Sequence, residues 1–443
     1  IRDRNVTGVQ TCALPIWESW QKINKGILED AFTRVIRTDP ARQGLLYAGT
    51  ETGIYVSFDD GQNWQSFNGN LPVTPIFEIL VKGSDLIVGT HGRSIWILDD
   101  LQPVRQLAEG VKTSPVYLSA PRDTTRVLPG IDWSSPIEGL TNYYSHGGGA
   151  YLGKATPDGE RVFTYLDAGE NPPNGAIITY WLDEVPTEPL LLTFKGKDGE
   201  EIAAFSSRKS DDPAISKERR APARQGWNRF IWDLRHTALP KINGTDPVSE
   251  STVEGPIIAP GDFTVTLKVG ETELSQPLKV VQPGNVKSSQ ADLEAQHDLL
   301  LRIHRLLGRM VTYINSMRGL RGQLDGWSKR AESLKDGAGL AAEAKALSEK
   351  VLEIEKIFQV PDLRGGWGDA INNGSRLFEK LGDLTGAVSL GDYRPTDAAE
   401  QVFQEYQTAI EEQIAVFDKL VAGDLAEFNK KLKASSVEFV LAW

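Results

Sequence analysis

The densest group of chemically capable side chains lies in SFDDGQNW, Ser57 to Trp64, where adjacent carboxylates, Asp59 and Asp60, precede a glycine and a tryptophan. Paired carboxylates can divide acid and base roles in glycoside hydrolysis, or contribute oxygens to a calcium ion. The spacing of Ser57, Asp59, Gly61 and Trp64 points instead to a hairpin. Asp59 accepts backbone N–H bonds across such a turn, Gly61 permits a positive φ, and the Trp64 ring covers the join. A second acidic pair, Asp99 and Asp100, also ends a β-type run and reads as turn capping. Arg93, in the turn HGRSIW, is the candidate for a funnel-facing cation, weighed against bonding of turn backbone.

The remaining residues assemble no further constellation. The five histidines, His91, His146, His236, His297 and His304, contain no HExxH motif and no close pair of the zinc type. His297 and His304 stand two helical turns apart, too far to share an ion. Gly147 to Gly149 lacks the following Lys and Ser/Thr of a phosphate-cradling loop, and no Gly-x-Ser-x-Gly elbow occurs. No catalytic residue, metal ligand set or cofactor is expected from these residues.

The elements that must position these residues change along the chain. From Trp20 to about Gln106, short β-type runs alternate with turns, and LLYAGTETGIYVSFDDG aligns with DLIVGTHGRSIWILDD. A period of about 40 residues with some four strands is the arithmetic of a propeller blade. From Gly169 to Gly284 the runs IITYWL, PLLLTFKG, EEIAAFSS, WNRFIWDL, DFTVTLKV and PLKVV predict an immunoglobulin- or fibronectin-like β-sandwich. Within it, the charged, proline-bearing stretch Lys209 to Gln225 reads as a loop. Residues 107–168 read as linker and loops. From Ser288 the period becomes helical: Leu293, Leu300, Ile303, Leu307, Met310, Ile314 and Met317 form one stripe. Leu340, Ala344, Leu347, Val351, Ile354 and Phe358 form a second, and Val402, Tyr406, Ala409, Gln413, Val416 and Leu420 a third. Asp424 with Glu427 suggests a capping box opening a last short helix. Residues 285–443 therefore predict an antiparallel helical bundle.

Composition narrows the partners. With 48 basic and 60 acidic residues the net charge is −12, which argues against a nucleic-acid-binding surface. No apolar run approaches the ~20 residues that span a bilayer, so no membrane insertion is expected. Residues 6 to 16, VTGVQTCALPI, read as translated short-read sequencing adapter. Residues 1–16 are therefore set aside, and with them Cys12, the only cysteine. If Trp17 replaces a native glycine, an earlier Gly-x-x-Trp ends at Trp20.

The Ser-x-Asp-x-Gly-x-x-Trp pattern of Ser57, Asp59, Gly61 and Trp64 is that of the Asp-box or BNR repeat. Together with VGTHGRSIWILDDLQPVRQL, NPPNGAIITYWL, NRFIWDLR and APGDFTVTL, it makes the chain resemble the C-terminal end of large bacterial BNR-repeat proteins with sortilin-like propellers, often labelled glycosyl hydrolases. The resemblance implies one to two blades at 17–106, then sandwich and bundle. It also implies an exported, extracytoplasmic protein and a structural role for the Asp-box. Two functions follow. One is a noncatalytic binding or scaffold module for a protein or glycan. The alternative is the end of a sialidase-like propeller hydrolase whose catalytic blades lie elsewhere.

Overall fold

The computed structural model describes residues 22–107, 114–128, 141–146, 149–156, 161–166, 169, 172–210, 219–244, 254–332, 337–361 and 372–434. The chain is mixed β and α with a C-terminal helical region, and it divides into two compact units, Ile1–Ser114 and Pro115–Trp443. The adapter-like segment, Trp20 and the Gly147–Gly148 pair lie outside the described residues.

The first unit holds two antiparallel sheets. One is β1 (Thr33–Thr38), β2 (Leu46–Thr50), β3 (Ile54–Ser57) and β4 (Gln65–Ser66), in sequence order. The other is β5 (Ile76–Lys82), β6 (Asp85–Thr90) and β7 (Ile95–Leu98), followed by the short helix α1 (Gln102–Gln106). Val35, Tyr47, Ile54 and Val56 of the first sheet share a core with Ile76, Ile79, Leu86 and Val88 of the second. At Gly49 an added Cβ would lie 2.6 Å from the Ile76 side chain of the other sheet and 2.7 Å from that of Val35. A side chain at that position would force the sheets apart.

The repeat seen in the sequence is a repeated hairpin. Gly49 pairs with Ile54 in β2–β3, and Gly89 pairs with Ile95 in β6–β7. The threonine after each glycine closes the turn. Thr50 donates through N and Oγ1 to Gly53 O at 2.8 and 2.9 Å, and Thr90 donates to Ser94 O at 3.3 and 2.6 Å. Each Oγ1 also accepts a turn N–H, from Thr52 and from Arg93. In both hairpins the threonine of the Gly-Thr pair is a turn cap, while only Gly49 lies against the other sheet.

The second unit begins with strands that the sequence reading assigned to linker. Residues 107–168 contain β8 (Val116–Leu118), β9 (Thr124–Thr125) and a meander of β10 (Asn142–His146), β11 (Gly149–Ala155) and β12 (Arg161–Tyr165). β8 and β9 are too short to show alternation, and they form by pairing onto later strands. In the meander an aromatic ladder holds the strands, with Tyr151 centred 5.4 Å from both Tyr144 and Tyr165. Gly- and Ser-rich sequence around it hid that ladder.

Two sheets then face each other. β16 (Gly226–Trp232), β13 (Ala176–Leu182) and β8 make the smaller. β15 (Glu201–Ser206), β14 (Leu191–Lys195), β17 (Gly261–Val269), β18 (Thr272–Val281) and β9 make the larger. Both contribute to one core around Tyr180, Phe194 and Trp232, with Phe194 and Trp232 stacked at 4.2 Å. The described end of the Lys209–Gln225 stretch is packed: Ala221 is buried and its N–H donates to Ser206 O.

The helices are α2 (Gln290–Glu332), α3 (Ala338–Phe358), α4 (Leu377–Val388), α5 (Asp397–Leu420) and α6 (Ala426–Ala434). α2 and α3 are antiparallel, since bonds link Ser328 to Ala341, Asp325 to Ser348 and Arg318 to Glu355. The first stripe is buried throughout. Glu355, fully buried beside the second stripe, accepts from Arg318 at 2.7 Å and Arg321 at 2.6 Å, which supplies the partners a buried carboxylate needs.

The buried face of α5 differs from the third stripe. Phe403, Ile410, Ile414 and Phe417 are the buried face of α5, while Val416 is 49% exposed. The face turns by one residue because the larger Phe and Ile side chains fill the space against α2. The last helix also has no independent start. α5 runs through a π-helical turn, Val421–Leu425, directly into α6. Asp424 and Glu427 pair with Lys350 and Lys430 on the surface.

Candidate functional site

The Ser57–Trp64 hairpin is built from side chain to backbone. Ser57 Oγ, fully buried, donates to Asp59 Oδ1 at 2.9 Å and accepts from Gly61 N at 2.9 Å. Asp59 accepts the Asn63 N–H at 2.8 Å on one oxygen and the Asn63 amide at 2.6 Å on the other. The two Asn63 hydrogen bonds stabilise the carboxylate and hold its pKa below the usual range. Gly61 has φ +87°, and the exposed Asp60 has φ +59°. Trp64 is 6% exposed, and its indole N–H donates to Ile23 O at 2.8 Å. A chain segment therefore crosses the ring: Trp64 N bonds Lys25 O, and at Gly26 an added Cβ would fall 2.1 Å from Trp64 O. Both Asp59 oxygens are engaged inside the turn, so its chemistry is that of a cap.

Arg93 is exposed in the β6–β7 turn, between Gly92 at φ +80° and Ser94 at φ +63°. Its backbone N–H is held by Thr90 Oγ1 at 3.1 Å, and its carbonyl accepts the Trp96 indole N–H at 2.7 Å. Among the described residues its guanidinium forms no ion pair, and no carboxylate or tyrosine is gathered with it to form a funnel site. Asp100 accepts the Gln102 N–H at 3.0 Å at the entry to α1.

Sequence reasoning missed two clusters. The first is a buried charge lock in the first unit. Asp39, 5% exposed, accepts from Arg105 Nε at 3.0 and 3.1 Å, from Tyr47 Oη at 3.1 Å, and from the backbone N–H groups of Ala41 and Arg42. Arg105 also donates to Gly83 O at 2.8 Å. Burial, then the adjacent Asp39 carboxylate, push the Tyr47 phenol up. The lock joins residues 66 apart in sequence and belongs to no local motif, so nothing in the chain announces it.

The second cluster lies in the second unit. His236, just after β16, meets His297 on α2 with Nε2 to Nε2 at 2.9 Å and rings stacked at 5.1 Å. His304 Nε2 lies 3.0 Å from Thr237 O. Burial, followed by the neighbouring His297, lowers His236 to about 3, and burial also lowers His297 and His304. In a hydrogen bond between two imidazole nitrogens the accepting ring must be neutral, and burial disfavours charge on either ring. Among the described residues no group of three or more His, Cys, Asp or Glu could hold a metal, and no helix is long and apolar enough to cross a membrane.

No family model and no curated protein matches the chain. Among solved structures, it is similar to a protein described as the extracellular domain of a hybrid two component system from B. thetaiotaomicron. The likeness is at 12% identity and TM-score 0.13, over 56% of this chain. The chain spans about 30% of that neighbour's length, and at this TM-score the likeness carries no argument.

Proposed function

We propose that the chain is the noncatalytic binding and scaffold part of an exported BNR-repeat protein with a sortilin-like β-propeller. In this reading β1–β4 and β5–β7 are its last blades, and the two facing sheets form an immunoglobulin-like sandwich. The observation that carries it is the Asp59 cap: a carboxylate with both oxygens bonded inside one hairpin positions a turn and leaves no acid or base for substrate. The face of β5–β7 turned from its core supports the same reading. Leu80, Ile95 and Ile97 are 52, 70 and 58% exposed there, as on a blade that packs against a neighbouring blade. The test is turnover of sialosides and aryl glycosides by this chain. No rate above background is expected; turnover abolished by Arg93→Ala would replace this reading with a propeller glycoside hydrolase.

A further inference from the structure

The smaller sheet of the second unit carries aromatic side chains on the face away from its core. Ala176, Ile178, Tyr180 and Leu182 of β13 and Phe230 and Trp232 of β16 point into the shared core. Alternation therefore sends Thr179, Trp181, Trp227 and Arg229 to the other face. The register sets Tyr117 of β8 opposite Trp181, Trp181 opposite Trp227, and Thr179 opposite Arg229. The rings form one cluster: Trp227 lies 5.7 Å from Trp181 at 69° and 6.4 Å from Tyr117 at 87°. Trp227, at 37% exposed, tops the cluster.

β16 is an edge strand of this sheet among the described residues. Beside it, Arg219, Arg220, Arg224 and Arg229, with Pro222, Phe230 and Ile231, line a small depression of about 40 Å³. Arg219 is committed: it pairs with Asp233 at 3.3 Å, lies 5.2 Å over the Phe230 ring and donates to Ile231 O. Arg224 and Arg229 are exposed, and neither guanidinium forms an ion pair among the described residues. In a chain of net charge −12, two such cations beside exposed tryptophan call for an anion carried on an apolar face.

We propose that this face, from Tyr117 across Trp181 and Trp227 to Arg229, with Arg224 just before β16 at the sheet edge, binds a polysaccharide of uronic acid residues. The C–H face of a pyranose ring is apolar and packs on the negative face of an indole. A planar carboxylate accepts two parallel N–H bonds from a guanidinium, which a hydroxyl cannot do. Two free arginines on an acidic chain are too few to follow a nucleic-acid backbone with useful affinity. The site is independent of the propeller reading, because it lies wholly in the second unit, so either can fail without the other.

The experiment is affinity electrophoresis of the full chain in gels containing polygalacturonate, neutral dextran, dextran sulfate or oligo-dT. Wild type should be retarded by polygalacturonate alone. Trp227→Ala and the double variant Arg224→Gln, Arg229→Gln should each weaken retardation by about tenfold or more; the double variant should leave thermal melting unchanged because both arginines are exposed, which separates lost binding from the packing that Trp227→Ala also removes. Three results would overturn the proposal. They are no retardation of wild type, equal retardation of wild type and the double variant, and equal retardation by dextran sulfate or oligo-dT.

Discussion

The hairpins β2–β3 and β6–β7 share a sequence pattern and a turn chemistry yet live in different surroundings. Every residue of β2 and β3 is buried. On β6 and β7 only Leu86 and Val88 are, and Ile95, Ile97 and Leu98 of β7 are exposed. The first hairpin is covered on both faces. Tyr47, Ile54 and Val56 enter the core shared with β5 and β6, while Leu46, Ala48 and Tyr55 pack under Trp64. The second hairpin has the shared core on one face and, among the described residues, nothing equivalent to Trp64 on the other. The pattern Gly-Thr-turn thus encodes a hairpin, and burial is decided by what lies across each face.

The sharpest way to break the contrast is to remove the cover. Trp64→Ala empties a nearly closed site and leaves Ile23 O without its donor. A loss of about 3–5 kcal/mol is expected from such a truncation, read as a lowered denaturation midpoint of the first unit. A loss below about 1 kcal/mol would mean that the ring covers nothing.

Acid probes the second unit separately. Folded His236 takes its proton only near pH 3, while an unfolded histidine takes it near 6.5. Between those values the unfolded state binds more protons, so stability is full above pH 6.5 and falls as pH drops toward 3. Melting followed from pH 7.5 to 4 should show this decline, and His236→Gln, which keeps a donor and an acceptor, should make it shallower, with His297 and His304, whose pKa values burial also lowers, supplying the remainder. An equally steep decline in the variant would place the acid sensitivity elsewhere.

A smaller effect separates the two acids of the Asp-box. Asp59→Ala removes the acceptor of both Asn63 bonds and should cost about 1 kcal/mol, as loss of a cap does. Asp60→Asn should stay within about 0.5 kcal/mol, because Asn tolerates the positive φ at that exposed position. Equal losses in urea melts would mean that the turn is misread.

Legibility in the sequence followed the range of the interactions. The Ser57–Trp64 hairpin and the stripe from Leu293 to Met317 are local, and period or motif marks them. β8 and β9 exist only because β13 and β18 offer them an edge, so residues 107–168 read as linker. The α5 stripe was misplaced by one residue because Val402 and Phe403 are both apolar, and only packing chooses between them. The pairs Asp39 with Arg105 and His236 with His297 join residues 66 and 61 apart, beyond any spacing rule.

The gentlest perturbation tests the bare face of the second hairpin. Leu80, Ile87 and Ile97 stand in register across β5, β6 and β7, with Leu80 and Ile97 more than half exposed. Ile97→Thr keeps the β-branch that suits a strand while removing apolar surface from solvent. Since no core contact is lost, monomer stability should change by no more than about 0.5 kcal/mol. An exposed apolar sheet face also promotes self-association, so the weight-average mass in sedimentation at high protein concentration should fall in Ile97→Thr. A melting temperature lowered by several degrees would show that something covers this face, and the contrast between the hairpins would then collapse.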